Sequence, residues 1–140
     1  MIGAPQAAAE KALLLEAIDA YFPEGLNGRH VAVWGLSFKP DTDDIRESPA
    51  LDVIGLLKKK GGMVEYHDPY IPHIHHETDG WYMDSVEDVM QAVREADAVV
   101  IITNHKVYNY QEIVEHAAFV FDSRNATRAV TQGLENVVRL

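Results

Sequence analysis

Residues 30–50, HVAVWGLSFKPDTDDIRESPA, place a strand, a long loop and a capped helix in immediate succession. His30 to Leu36 is a short apolar run of the kind that forms a buried strand. Ser48-Pro49 supplies an N-cap followed by proline at the first helical position. Eleven residues, Ser37 to Glu47, separate the two. Strand-to-helix loops in α/β units usually take about two to six residues, and longer ones without structure of their own tend to serve function. This loop carries Lys39, Arg46 and the acids Asp41, Asp43, Asp44 and Glu47 beside an aromatic, Phe38. It is the expected centre of a binding site.

Downstream, Ser48 to about Lys60 is expected as a helix with Ala50, Ile54 and Leu57 on one face, and Lys58, Lys59 and Lys60 complement its dipole. Gly61-Gly62 ends it, and Met63 to His67 forms a second strand that stops at Asp68-Pro69. Strand, crossover helix and strand at this spacing imply a right-handed βαβ unit and a parallel sheet. Tyr70 to Asp84 reads as irregular: His73, His75 and His76 form a polar loop with no metal-ligand spacing, and Trp81-Tyr82 packs it on the sheet. Ser85 to Glu95 is expected as a helix capped by Ser85, with Val86, Val89, Met90 and Val93 as its apolar stripe. Asp97 to Thr103, DAVVIIT, is a continuous apolar strand of a sheet covered on both faces. A helix at Tyr110 to His116 and a strand at Ala118 to Asp122 follow, and Asn136 to Leu140 fits a last edge strand.

Upstream, Pro5 to Phe22 is a helix with a stripe of Ala8, Ala12, Leu15, Ile18 and Phe22, broken by Pro23-Glu24-Gly25 and Asn27-Gly28. Because it precedes the first strand, it is expected to be the tail of something upstream that packs on a partner domain or subunit. The fold class is therefore α/β, a three-layer Rossmann-like open parallel sheet preceded by a helix.

At 140 residues the chain is one domain with a real core. Its net charge of -10 argues against a general nucleic-acid or anionic-membrane binder, since no basic surplus exists to neutralise phosphates. A small anion would have to be held by a few placed cations. The absence of cysteine excludes disulfides, thiolate zinc sites and cysteine nucleophiles within these residues, and favours a cytoplasmic setting. Neither a secretory leader nor an apolar run of membrane-spanning length is indicated.

Ligands of open parallel sheets bind outside the carboxyl ends of the strands, where strand order reverses. Here those ends carry the Phe38-Lys39 loop with Arg46, then Asp68-Pro69-Tyr70, Thr103-Asn104-His105, and Asp122-Ser123-Arg124-Asn125. The first turn has only Gly35 and no G-x-G-x-x-G, so the usual dinucleotide grip is missing. A nucleotide would be held by the helix start at Ser48 to Leu51, by Lys39 as a point charge, and by Arg46 or Arg124 as forked donors, while the acids shape the loop and orient Arg46. The plain alternatives are solvated loop charges for Lys39 and Arg46 and a salt bridge to Asp122 for Arg124. For His105 the plain alternative is an exposed cap or turn, and Tyr108 and Tyr110 either line the cleft or belong to the core.

Residues 35–50, GLSFKPDTDDIRESPA, resemble the signature of the C-terminal, UDP-binding domain of the UDP-glucose/GDP-mannose dehydrogenase family. Asp68-Pro69-Tyr70 and residues 122–128, DSRNATR, resemble later motifs of that family in the same order, so the likeness covers roughly Val31 to Val130. It implies an enzyme that oxidises C6 of a nucleotide sugar to a carboxylate with NAD, in polysaccharide biosynthesis, built from an N-terminal NAD domain with a catalytic cysteine, a central helix used in homodimerisation, and this domain. By the same resemblance Phe38, Lys39 and Arg124 bind the UDP-sugar, Arg46 reaches NAD, residues 1–28 are the end of the central helix, and residues 29–140 are the UDP-sugar-binding domain. Without G-x-G-x-x-G or cysteine, this chain is expected to be a fragment that is inactive alone, with NAD bound mainly by the N-terminal domain. Asn104-His105, Tyr108, Tyr110, His116-Ala117 and residues 124–127 look more like dehydrogenases of UDP-N-acetylglucosamine or UDP-N-acetylmannosamine than of UDP-glucose. A stand-alone nucleotide-binding module and an oligomerisation domain are the other readings.

Overall fold

Each short run of β-branched and apolar residues becomes a strand, and the helical stripes cover the resulting sheet. The computed structural model describes residues 3–37, 39–45, 48–76 and 80–140. In chain order the elements begin α1 (Gly3–Tyr21), β1 (His30–Trp34), α2 (Ala50–Lys59), β2 (Met63–His67), β3 (His73–His75) and β4 (Tyr82–Asp84). They continue as α3 (Val89–Glu95), β5 (Ala98–Ile101), α4 (Tyr110–His116), β6 (Val120–Asp122), a 3-10 turn at Leu134–Asn136 and β7 (Val137–Arg139). No helix among the described residues is long and apolar enough to cross a membrane.

Five strands form one sheet in the order β2-β1-β5-β6-β7, and every pairing is parallel. The chain runs from β1 outward to β2 and then returns past β1 to β5. Strand order therefore reverses between β1 and β5, which puts the switch point at the residues following Trp34 and Ile101.

Alternation of side chains along the strands sorts the core into two layers. Val31, Val33, Ala98, Val100, Ile102 and Phe121 face α2 through its buried Ala50, Val53, Ile54 and Leu57. Ala32, Trp34, Val99, Ile101 and Val120 face α3 and α4 through Ala92, Val93, Ile113 and Val114. This is the three-layer α/β architecture expected.

Helix α1 departs from expectation. Leu14 and Ile18 are buried in the same cluster as α2, and Tyr21 and Phe22 make edge contacts with Phe119 and Phe121. The buried side is thus set by Leu14 and Ile18, while Ala12 is exposed and the Ala8 side chain lies outside the described residues. The helix covers the sheet, with Leu14 and Ile18 in the same core cluster as Phe121 and Tyr21 against Phe119 and Phe121.

Three local expectations change. The segment from Tyr70 to Asp84 contains an antiparallel pair, β3 with β4, in which Ile74 opposite Met83 is buried and His73 and His75 are exposed. Trp81 stacks on His76 and lies under the Lys58 ammonium, and Tyr82 stacks on His73. Helix α3 starts later than expected, with Asp88 accepting the Gln91 amide at 3.0 Å. Ser85 does not cap it, because residues 85 and 86 are extended along β2: Val86 N donates to the Tyr66 carbonyl, and the Ser85 hydroxyl accepts from Asp68 N at 3.0 Å. At α2, the Ser48 hydroxyl accepts the Ala50 amide at 3.1 Å, and Pro49 already has helical backbone angles. The tail's last strand, β7, pairs with β6 at the sheet edge.

Candidate functional site

At the switch point the chain turns sharply. Gly35 has φ +86, and a Cβ there would lie 2.7 Å from Thr103 Oγ1 and 2.9 Å from Thr103 Cα. Only glycine meets both demands, so the ends of β1 and β5 close on each other. The Thr103 hydroxyl donates to the Ser37 carbonyl, and both residues are fully buried. Ser37 Oγ in turn donates to the Lys39 carbonyl at 2.6 Å.

Asp68, at the end of β2, is the hub. Its Oδ2 accepts from Leu36 N at 2.8 Å and faces His105 Nε2 at 3.0 Å, while Oδ1 accepts from Tyr70 N at 2.8 Å. The side chains of Asp68 and His105 are wholly buried. On the far side of the ring, the Asp41 amide donates to His105 Nδ1 at 2.8 Å. A backbone amide can only donate, so Nδ1 carries no proton and His105 is the neutral tautomer with its hydrogen on Nε2, directed at Asp68. His105 is therefore not the exposed cap or turn expected from the sequence.

Asp41 sits in the left-handed region at φ 61, where Asp and Asn are tolerated best, and its Oδ1 accepts from Lys106 N at 2.9 Å. The Lys106 ammonium is 3.9 Å from the carboxylate and almost fully exposed, so this ion pair adds little. The loop is pinned at Ser37 by β5 and at Asp41 by the His105 segment. Lys39 stands exposed between the pins. Phe38 and Arg46 lie outside the described residues.

Arg124 follows β6 in a turn organised by Asp122. The buried Asp122 carboxylate accepts the amides of Arg124, Ala126 and Thr127 and the Thr127 hydroxyl at 3.0, 3.0, 2.9 and 2.6 Å. Those donors occupy both oxygens, so the plain alternative for Arg124, a salt bridge to an acid such as Asp122, is met by a different acid. Arg124 Nη1 meets Glu10 of α1 at 2.6 Å, and Nε donates to the Ile102 carbonyl at 2.9 Å. Burial raises the Glu10 carboxyl above its ordinary value, with Arg124 pulling the other way. Ile102 adjoins Thr103, so Arg124 and the Lys39 loop are fastened to neighbouring residues of the switch point.

Tyr108 belongs to the core. Its ring stacks on Trp34, and its hydroxyl donates to the His67 carbonyl at 3.0 Å and lies 2.8 Å from His67 Nδ1. Burial pushes the Tyr108 phenol up and the His67 imidazole down. The half-buried Tyr110 donates to the His105 carbonyl at 2.7 Å. The start of α2, expected to face phosphate, has one amide taken by Ser48 and carries Asp52 in its first turn, which pairs with Lys11 at 3.7 Å. A carboxylate there opposes a second anion. Glu10 and the Asp68–His105 contact were not singled out from sequence; they join residues 114 and 37 positions apart.

The family described as "UDP-glucose/GDP-mannose dehydrogenase family, UDP binding domain" matches residues 32–129. The UDP-glucose 6-dehydrogenase of Pseudomonas aeruginosa is 36% identical over 109 residues, which is 72% of this chain and 23% of that protein. The UDP-N-acetyl-D-mannosamine dehydrogenase of Pyrococcus horikoshii is 36% identical over 101 residues, 68% of this chain and 21% of that one. The solved UDP-glucose dehydrogenase of Pyrobaculum islandicum superposes with a TM-score of 0.68 at 26% identity, covering 94% of this chain and 29% of that chain. This chain spans about a fifth to a quarter of the curated relatives' length. With a match over residues 32–129, it belongs to the UDP-binding domain of the UDP-glucose/GDP-mannose dehydrogenase family.

Proposed function

We propose that this chain is the nucleotide-sugar-binding domain of an NAD-dependent UDP-sugar 6-dehydrogenase, which oxidises C6 of the sugar from alcohol to carboxylate. The observation that carries the reading is the exposed Lys39 held between two hydrogen-bonded pins at the switch point, in a chain whose net charge of -10 leaves few cations for an anion. Phe38 and Lys39 contact the UDP-sugar, Lys39 near the phosphates and sugar, and Arg124 is a second cation that exchanges its bond to Glu10 for the nucleotide. Residues 1–28 are the end of a central helix, residues 29–140 the binding domain, and the intact enzyme is a cytoplasmic homodimer supplying polysaccharide biosynthesis.

The described residues do not form an NAD cradle. The turn after β1 keeps Gly35, which serves the tight turn, and has Ser37 where the glycine of a dinucleotide-binding turn lets a pyrophosphate approach. NAD and the cysteine nucleophile are assigned to another domain, with Arg46 reaching toward it, and the chain alone is inactive.

For the sugar we propose a UDP-N-acetylhexosamine, on the likeness of Asn104-His105 and residues 124–127 to that branch. UDP-glucose is the second reading, supported by equal 36% identity to relatives of both names. His105, Tyr108 and Tyr110 all bond within the protein, so they bear on relatedness and not on sugar contact.

Calorimetry with UDP tests the domain directly. A charge-assisted bond is worth about 1.5 to 3 kcal/mol, so Lys39→Ala is expected to weaken UDP roughly 10- to 100-fold. Equal binding by parent and variant would sink the assignment of Lys39. The choice of sugar is decided by NADH formation from each UDP-sugar with the full-length enzyme.

A further inference from the structure

Among the described residues, His105 is the ionisable group whose surroundings the proposed function leaves without a task. It is wholly buried, yet it stands at the switch point and touches two other strand ends. Both ring nitrogens are consumed inside the protein: Nε2–H points to Asp68 and Nδ1 accepts the Asp41 amide. The ring therefore has no nitrogen left to exchange a proton with a ligand. What it does have is a fixed orientation. Asp68 holds the ring from β2, and the Tyr110 hydroxyl holds the His105 carbonyl at 2.7 Å.

We propose that His105 is a positioning residue: a clip that fixes the Lys39 loop by accepting the Asp41 amide, so that Lys39 is presented to the nucleotide in one place. The inference rests on the reading of Lys39 as a nucleotide ligand. The Thr103–Ser37 bond holds the loop on one side of Lys39, and the His105–Asp41 bond holds it two residues beyond on the other. Asp41 alone would not keep this geometry, because its left-handed backbone angle is one that a free loop seldom populates. Ordering a loop at the moment of binding weakens affinity, and a preformed loop avoids that loss.

Two half-replacements separate the clip from mere packing. In His105→Asn the side-chain oxygen stands near the place of Nδ1 and can still accept the Asp41 amide, while the contact to Asp68 is lost. In His105→Gln the terminal amide reaches Asp68, while the acceptor for Asp41 is lost. The experiment measures amide hydrogen exchange at Asp41 and UDP affinity in the parent and both variants. Expected are faster Asp41 exchange and UDP binding about tenfold weaker in the Gln variant, with the Asn variant much nearer the parent in both. Equal losses in the two variants, or Asp41 exchange in the Gln variant unchanged from the parent, would overturn the clip. If the parent fails to bind UDP, the nucleotide reading fails, and the clip is then decided by Asp41 exchange alone. Should the Gln variant not fold, the parent decides: the clip requires the Asp41 amide to exchange more slowly than an unbonded loop amide, and exchange at the unbonded rate overturns the proposal.

Discussion

Asp68→Asn is the sharpest test of how the switch point is held together, because the two side chains have the same shape. The carboxylate takes three donors: Leu36 N and His105 Nε2 on one oxygen, Tyr70 N on the other. An amide has one oxygen. Placed with that oxygen toward Leu36 and His105, it turns its NH2 toward the Tyr70 amide, leaving two donors face to face. The opposite rotamer leaves Leu36 and His105 without an acceptor and is worse. A buried unsatisfied donor costs about 1 to 3 kcal/mol, and each surviving bond loses roughly 1 kcal/mol when its acceptor is no longer charged. Neutralising a buried carboxylate recovers part of its desolvation cost, which brings the expected loss to roughly 2 to 4 kcal/mol. Urea unfolding followed by the fluorescence of the two tryptophans, Trp34 in the core and Trp81 on the hairpin, measures it. A loss below about 1 kcal/mol with an unchanged denaturant slope would refute the three-donor account.

Gly35→Ala combines a left-handed backbone, costing about 1 to 2 kcal/mol, with crowding against Thr103, costing about 1 to 3 kcal/mol. Gly25→Ala, at φ +92 with nothing within 4 Å of the new methyl, isolates the first term, so denaturation of both variants should show Gly35 as the costlier site. Glu10→Gln should destabilise the protein, because it leaves the largely buried Arg124 guanidinium facing a neutral amide. A carboxyl whose folded pKa is raised contributes stability that is present below its ordinary value of 4.5 and lost as pH rises through the folded value. The Gln variant should therefore gain on the parent between pH 4.5 and 7, as paired urea midpoints would show, and a gain by the parent would contradict this. For His67, NMR titration should give a midpoint below its ordinary 6.5, since burial disfavours the cation; its contribution is present above pH 6.5 and lost as pH falls through that midpoint.

The parallel sheet was legible because its central strands carry unbroken apolar runs, Val31 to Trp34 and Ala98 to Ile101, and such runs need two covered faces. Residues 63–67 and 110–116 appear as the expected strand and helix, and Ala50, Ile54 and Leu57 are the buried face of α2. The hairpin was hidden because His73-Ile74-His75 alternates as a strand should, but histidine on the exposed positions looks like loop. The α3 cap had a signal too: Asp88 stands three residues before Gln91, a capping spacing that competed with Ser85. What tipped the balance was the partner of Ser85, the Asp68 backbone, which local sequence cannot reveal.

The site shows the same division more strongly. Its polar groups could be named from the strand ends, but the bonds among them could not, because each bond joins segments that only the sheet brings together. Arg124 had a plausible neighbour in Asp122, two residues away, and bonds to Glu10 on the N-terminal helix, because backbone amides and the Thr127 hydroxyl reach the Asp122 carboxylate first. His105 looked like a surface turn because histidine after a strand usually is one; here a carboxylate from β2 and an amide from the β1 loop close over both nitrogens. Loop length alone therefore says little about whether a loop can bind. An eleven-residue loop left free would lose affinity by ordering at each encounter, whereas one fastened at Ser37 and Asp41 keeps Lys39 in place before the ligand arrives. The pins, more than the cations between them, separate a binding loop from a merely long one.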